Sequence, residues 1–240
     1  REPPRAPMKP ALIALAACIA LSASACSTRN SDDLLVLSAR ELHPSVVLLT
    51  MKVPPGNKKD AFDDAYGTGT IIASGTWGSD ILTVQHAVDG AWDMHVRLAD
   101  KRKFTARVIA QDKTLDVALV RTAEPDLPVA KLGSSAHLHD DIGRQVGLIG
   151  YPIPDEFQDE GLTLEQSVNA GHLSSIRNGA LEVSLSIVPG ESGAVIFIAD
   201  TGEIIGIAES RFEDERSIGF ALPIDDAKAF LHKHDSGHGF

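Results

Sequence analysis

Val46-Val47-Leu48-Leu49-Thr50-Met51-Lys52-Val53, residues 46–53, reads as a β-strand: eight residues dominated by aliphatic and β-branched side chains, followed by Pro54 and Pro55. Similar short runs recur at 68–73, 81–84, 94–98, 104–110, 117–122, 145–150, 181–187, 194–198, 204–208 and 219–222. Gly, Asp, Asn or Pro bounds most of them, as turns require. Eleven short strands with no helix between most pairs predict an all-β barrel or sandwich and argue against alternating βαβ units. One strong helix is expected, over 224–232. Pro223 opens it, Asp225 and Asp226 suit its positive end, and Ala227, Phe230 and Leu231 form an apolar stripe.

The chain has 240 residues, enough for one or two domains with a full core. It carries 33 Asp and Glu against 22 Lys and Arg, a formal charge of −11. That balance argues against a nucleic-acid partner, since binding a phosphate backbone needs clustered Lys and Arg. Its two cysteines cannot build a disulfide framework, and both, Cys18 and Cys26, lie near the amino end. Residues 1–7 precede the first Met and read as upstream sequence. From Met8 a short cationic start, an apolar run at 11–21 and Ser22-Ala23-Ser24-Ala25-Cys26 read as an export signal, too short to span a bilayer. The site resembles a bacterial lipoprotein signal in which Cys26 is lipidated, although Ala23 stands where Leu is usual. Ala23-x-Ala25 also fits ordinary signal cleavage, so a lipid-anchored and a soluble exported protein both stay open. Loss of residues 1–25 leaves a charge of −13 and one Cys. Residues 26–40 read as a tether, 41–233 as the folded domain and 234–240 as a polar tail.

Three local signals carry chemistry. Ile81-Leu82-Thr83-Val84-Gln85-His86 is an apolar strand ending on His; Asp116 stands at the entrance to Val117–Thr122; Pro189-Gly190-Glu191-Ser192-Gly193 is a tight turn between apolar strands. A serine hydroxyl is a poor nucleophile at neutral pH and needs a base within hydrogen-bond reach, a task that suits His. The imidazolium in turn needs a carboxylate to fix its tautomer and balance its charge. The glycines allow a sharp turn in which the N–H groups of Gly190 and Ser192 face a developing oxyanion, at roughly 3 kcal/mol per donor. Each signal alone has an ordinary structural explanation; the order His, Asp, Ser with these flanks is far more specific.

On these residues the chain resembles the trypsin-like serine proteases, most closely the HtrA/Deg branch, over residues 40–232. Gly67-Thr68-Gly69-Thr70-Ile71-Ile72, Leu132-Gly133-Ser134-Ser135, the stretch 143–152, Gly202-Glu203-Ile204-Ile205-Gly206-Ile207 and the stretch 218–223 are similar to that family's motifs. The resemblance implies two six-stranded antiparallel β-barrels with a C-terminal helix and the site in the cleft between barrels. It implies His86 as general base, Asp116 as its orienting acid, Ser192 as nucleophile, and no cofactor or metal. His137, His139 and the histidines of the tail read as solvated polar residues. The family's departures here are Glu191, where Asn or Asp is usual, and Ala194, where Gly is usual; no PDZ domain is expected after the catalytic domain.

By the same mapping Ser186 lies at the base of the primary specificity pocket, Gly219 on its wall and Glu209-Ser210-Arg211 along the substrate-pairing strand. A neutral base implies a small or medium apolar side chain in preference to Lys or Arg. The charges Arg211, Glu213, Asp214, Glu215 and Arg216 read as a solvated loop. The expected partner is a peptide or protein substrate in the bacterial cell envelope. The competing reading is a catalytically silent trypsin-fold lipoprotein that binds peptides or partner proteins.

Overall fold

The computed structural model describes residues 31–55, 62–209 and 217–234. Twelve strands form two closed antiparallel barrels. The first contains β1 (Val46–Val53), β2 (Asp63–Gly75), β3 (Gly78–Thr83), β4 (Trp92–Arg97), β5 (Lys103–Asp112) and β6 (Val117–Thr122), ordered β1-β2-β3-β6-β5-β4. The second contains β7 (Gln145–Gly150), β8 (Ser167–Arg177), β9 (Ala180–Val183), β10 (Val195–Ile198), β11 (Ile204–Glu209) and β12 (Gly219–Pro223), ordered β10-β11-β12-β9-β8-β7. The all-β, two-barrel expectation holds.

The period-2 alternation of strands explains why the most apolar segments have so few polar residues. In β1, Val47, Leu49 and Met51 fill the first barrel, whereas Val46 and Leu48 face a second core between the barrels. In β10, Ile196 and Ile198 fill the second barrel while Val195 and Phe197 join that shared core. Strands covered on both faces must be apolar on both. The helix α3 (Ile224–His234) closes the shared core with Phe230 and Leu231, two residues longer than the sequence predicts.

Three expectations need correction. The tether drawn over 26–40 is, from Ser31, a helix, α1 (Ser31–Leu42). Leu35, Ala39 and Leu42 recur at helical spacing and pack on the shared core, and the Ser38 hydroxyl donates to the Ala199 carbonyl at 3.0 Å. Its stripe is short and makes sense only against the second barrel. The strand expected over 181–187 ends at Val183, and residues 184–188 leave the sheet toward Gly190. An unforeseen strand, β8, pairs with β7 and β9; only Gly171 and Leu173 in it are buried, so its polar sequence hides it. The signal and Cys26, and the tail from residue 235, lie outside the described residues.

Candidate active site

The pairing of β3 with β6 builds half of the site. Thr83 lies opposite Ala118, so the segment after β3 and the residue before β6 meet at one barrel end. The chain turns there into the short helix α2 (Gln85–Val88), which carries His86. Asp116 takes a left-handed φ of 54°, a conformation Asp tolerates better than most residues. Its carboxylate receives the His86 backbone N–H at 2.8 Å and lies 2.6 Å from the ring Nδ1. A carboxylate only accepts, so Nδ1 carries the ring proton and Nε2 is left as an acceptor. Ser192 Oγ lies 3.1 Å from that Nε2. The His86 side chain is 45% exposed, whereas Ser192 is buried beneath it.

The loop carrying Ser192 is fixed by an almost complete set of hydrogen bonds. Val188 N–H donates to Glu191 Oε2 at 3.0 Å, and Glu191 N–H returns to the Val188 carbonyl at 3.0 Å. Gly193 and Ala194 donate to the carbonyls of Ala208 and Glu191. The loop carbonyls are held as well: Pro189 accepts from Ile153 N–H at 2.7 Å, Gly190 from Thr68 Oγ1 at 2.7 Å, Ser192 from Thr68 N–H at 3.0 Å. Counting donors from 188 to 194, only Gly190 and Ser192 have N–H groups without an acceptor among the described residues. Gly190 (φ 89°) and Gly193 (φ 88°) need left-handed backbone, and a side chain on Gly193 would overlap the Thr68 carbonyl.

Glu191 is fully buried, and its other carboxylate oxygen receives Asn169 Nδ2 from β8 at 3.2 Å. Burial pushes its pKa up from 4.5 to about 6, with the Val188 N–H pulling the other way. A carboxyl that binds its proton more tightly folded than unfolded costs stability once both states have lost it. Glu191→Gln is therefore expected to raise the unfolding free energy by about 2 kcal/mol at pH 7–8. The gain shrinks as pH falls through 6 and is gone below 4.5. Denaturant melts of both proteins at pH 4.5, 6 and 8 check this; a gain that grows toward acid would sink it.

Of the residues assigned to specificity, Ser186 is half-buried in the stretch leaving β9. Gly219 opens β12 opposite Val183, and a side chain there would meet Ile187 Cδ1 at 2.7 Å and the Leu185 carbonyl at 2.9 Å. Glu209 is buried at the end of β11 opposite Phe220. Residues 210–216 lie outside the described residues. Thr68 and Asn169 were missed as site residues. Thr68 sits in a Gly-Thr-Gly stretch whose alternation with glycine signals close backbone approach; nothing local marks Asn169.

A protein-family model described as the trypsin-like peptidase domain matches residues 67–207, more than half of the chain. The chain is 37% identical over 191 residues to a protein of Synechocystis sp. named as the serine protease HhoA, covering 77% of this chain and 46% of that protein. It is 33% identical over 168 residues to a DegP-like periplasmic serine endoprotease of Hahella chejuensis, covering 67% and 34%. The chain thus spans less than half the length of these relatives. Among solved structures it is similar to an HtrA-type protease, AlgW, with a tripeptide (TM-score 0.67, 26% identity, 83% of this chain and 62% of that one). It is likewise similar to the serine endoprotease from Yersinia pestis (TM-score 0.65, 26% identity, 83% and 66%). Two closed barrels, a His–Asp–Ser hydrogen-bond chain at their junction and a family model over most of that span agree: this chain belongs to the trypsin-like peptidase family, among relatives of the HtrA/DegP type.

Proposed function

We propose that this chain is a serine endopeptidase that cleaves peptide bonds through an acyl-enzyme, with His86, Asp116 and Ser192 as its triad. The observation that carries the reading is the continuous chain from Asp116 Oδ2 through His86 to Ser192 Oγ, at 2.6 and 3.1 Å. Ser192 Oγ attacks the scissile carbonyl carbon while its proton passes to His86 Nε2, and Asp116 balances the imidazolium. The N–H groups of Gly190 and Ser192 receive the oxyanion. Collapse expels the amine, which takes the proton from His86; water then repeats the sequence on the acyl ester and frees Ser192.

Substrates in this reading are exported or misfolded proteins of the bacterial cell envelope, in keeping with the periplasmic relatives, and residues 1–25 serve as the export signal. Cys26 is the lipid attachment point. The protease domain of 41–233 is extended at its amino side by α1. Ser186, Gly219 and Glu209 border the primary pocket, and Ile187 beside Gly219 favours a small or medium apolar side chain there.

A fluorophosphonate probe tests the reading. The folded protein is expected to label covalently with one probe per chain, and Ser192→Ala is expected not to label. A folded wild type that stays unlabelled would overturn the enzyme reading and leave a peptide-binding protein on the same fold. For the anchor, palmitate incorporation that is lost in Cys26→Ser is the expected result; a mature chain without lipid would favour ordinary cleavage.

A further inference from the structure

We propose that Glu191 is the positioning residue of the oxyanion loop: its buried carboxylate clamps the Val188 N–H and the Asn169 side chain, and thereby holds the turn that frees the N–H groups of Gly190 and Ser192. The inference rests on the reading of Ser192 as nucleophile and adds a residue that acts through the backbone without touching substrate.

Geometry supports it from three directions. Oε2 takes the Val188 N–H while Glu191 N–H returns to the Val188 carbonyl, closing a ring over residues 188–191. Oε1 ties this ring to β8 through Asn169. The next residue outward is Gly190: the Pro189 carbonyl of the same peptide unit accepts from Ile153 N–H, which turns the Gly190 N–H the opposite way and leaves it for another acceptor, while the Gly190 carbonyl is held by Thr68 Oγ1. No other side chain supplies an acceptor to Val188 N–H among the described residues. If the carboxylate were lost, a buried donor would be orphaned, and the cheapest remedy is rotation of a peptide in this loop, which would disturb the free donors.

The clamp is also sensitive to protonation. The elements packed on Glu191 present uncharged groups: Gly150 at the end of β7, Asn169 of β8, and Thr68 of β2 beside the neighbouring Gly190. The titratable group bonded to the same loop is His86, through Ser192 Oγ, with Asp116 behind it. Above about pH 6 the carboxylate is charged and makes two charge-assisted bonds. Below it, one oxygen still accepts the Val188 N–H and the other becomes a donor, so both bonds lose their charge assistance and weaken. Gln at 191 keeps an acceptor for Val188 and offers its NH2 to a turned-over Asn169 carbonyl, so it preserves the clamp and deletes the titration.

The test combines fluorophosphonate labelling rates with backbone amide NMR of Gly190 and Ser192 between pH 5 and 8. Glu191→Ala is expected to label ~100-fold more slowly than wild type, as when one oxyanion donor is removed. Glu191→Gln is expected to restore most of that loss at pH 8 and to show a shallower acid limb than wild type. The Gly190 and Ser192 amide shifts are expected to titrate with a step in wild type that is missing in Glu191→Gln. Asn169→Ala, a milder change on β8, is expected to move that step to higher pH. A folded Glu191→Ala that labels at the wild-type rate would overturn the proposal, and so would amide titrations identical in wild type and Glu191→Gln. If wild type never labels but its amide step depends on Glu191, the positioning role stands and the peptidase reading falls.

Discussion

Ser192→Ala and His86→Ala are each expected to lower peptide hydrolysis by about 10⁴–10⁶-fold, and the double variant to lose no more than either alone. The expectation follows from the geometry of a single proton path. Nε2 has one partner, the Ser192 hydroxyl at 3.1 Å, and that hydroxyl has no other base within hydrogen-bond reach among the described residues. Without His86 the nucleophile keeps its proton; without Ser192 the base has nothing to activate. Either loss leaves only the free N–H groups of the oxyanion loop and whatever binding the cleft provides. Asp116→Asn behaves differently in kind. An amide at 116 can present its oxygen to the His86 backbone N–H or to Nδ1, but its NH2 then faces the other site, and the ring is driven toward the wrong tautomer. A loss of about 10⁴-fold is expected, because a misassigned proton defeats the base without removing it. Initial rates on a denatured protein substrate, with circular dichroism to establish folding, check all four variants. Losses that multiply in the double variant would show that His86 and Ser192 do not act as a unit.

What could be read from the sequence, and what could not, divides by how far apart the interacting residues lie. The bounds of β1, β6 and β7 follow from composition because each is buried on both faces and so carries an uninterrupted apolar run. The proposed triad is legible for a related reason: each member lies within three residues of a buried apolar strand (His86 after β3, Asp116 before β6, Ser192 before β10), and the order of the three supplies the specificity. β8 escapes detection because most of it is solvated and its Gly171 and Leu173 are too few to set a period. The helix α1 escapes because its partners, Ala199 and Gly147, are more than 100 residues away, so its short stripe reads as part of a tether. The second layer of the site is least legible of all. Asn169 reaches Glu191 across 22 residues and nothing local marks it; Thr68 reaches Gly190 across 122, and the glycines around it signal a close approach without naming the partner. Glu191 itself stands out only as a departure from the family motif; its partners are what give the departure a meaning.

The largest effect on stability is expected not in the site but in the strand pair beneath it. Asp80 of β3 is completely buried and faces Arg121 of β6 directly in register. Its two carboxylate oxygens take Arg121 Nε at 2.5 Å and Nη2 at 2.7 Å, a bidentate pair, and the guanidinium lies 4.6 Å from the centre of the Trp77 ring. Three positions further along β3 is Thr83, opposite Ala118, and just beyond are His86 and Asp116. The ion pair therefore pins the two strands beside which His86 and Asp116, two residues of the proposed triad, are placed. Asp80→Ala removes one charge and leaves the other mostly buried without its counterion, for an expected loss of about 3–5 kcal/mol. For a domain of this size that lowers the melting temperature by about 10 °C. Replacing both partners with apolar side chains of similar volume, Asp80→Leu with Arg121→Met, removes the unpaired charge along with the pair, so most of the loss is expected to return. The consequence for the site is equally specific. Backbone pairing of β3 with β6 survives in the folded fraction, so fluorophosphonate labelling per folded molecule should match wild type at low temperature and fall only as the variant melts. Urea melts and labelling on the same samples check both halves. A cost below ~1 kcal/mol would mark the pair as no better than a surface ion pair. A labelling defect at temperatures where Asp80→Ala is fully folded would mean that the ion pair sets the His86–Asp116 geometry directly, and not merely the stability of the strands that carry it.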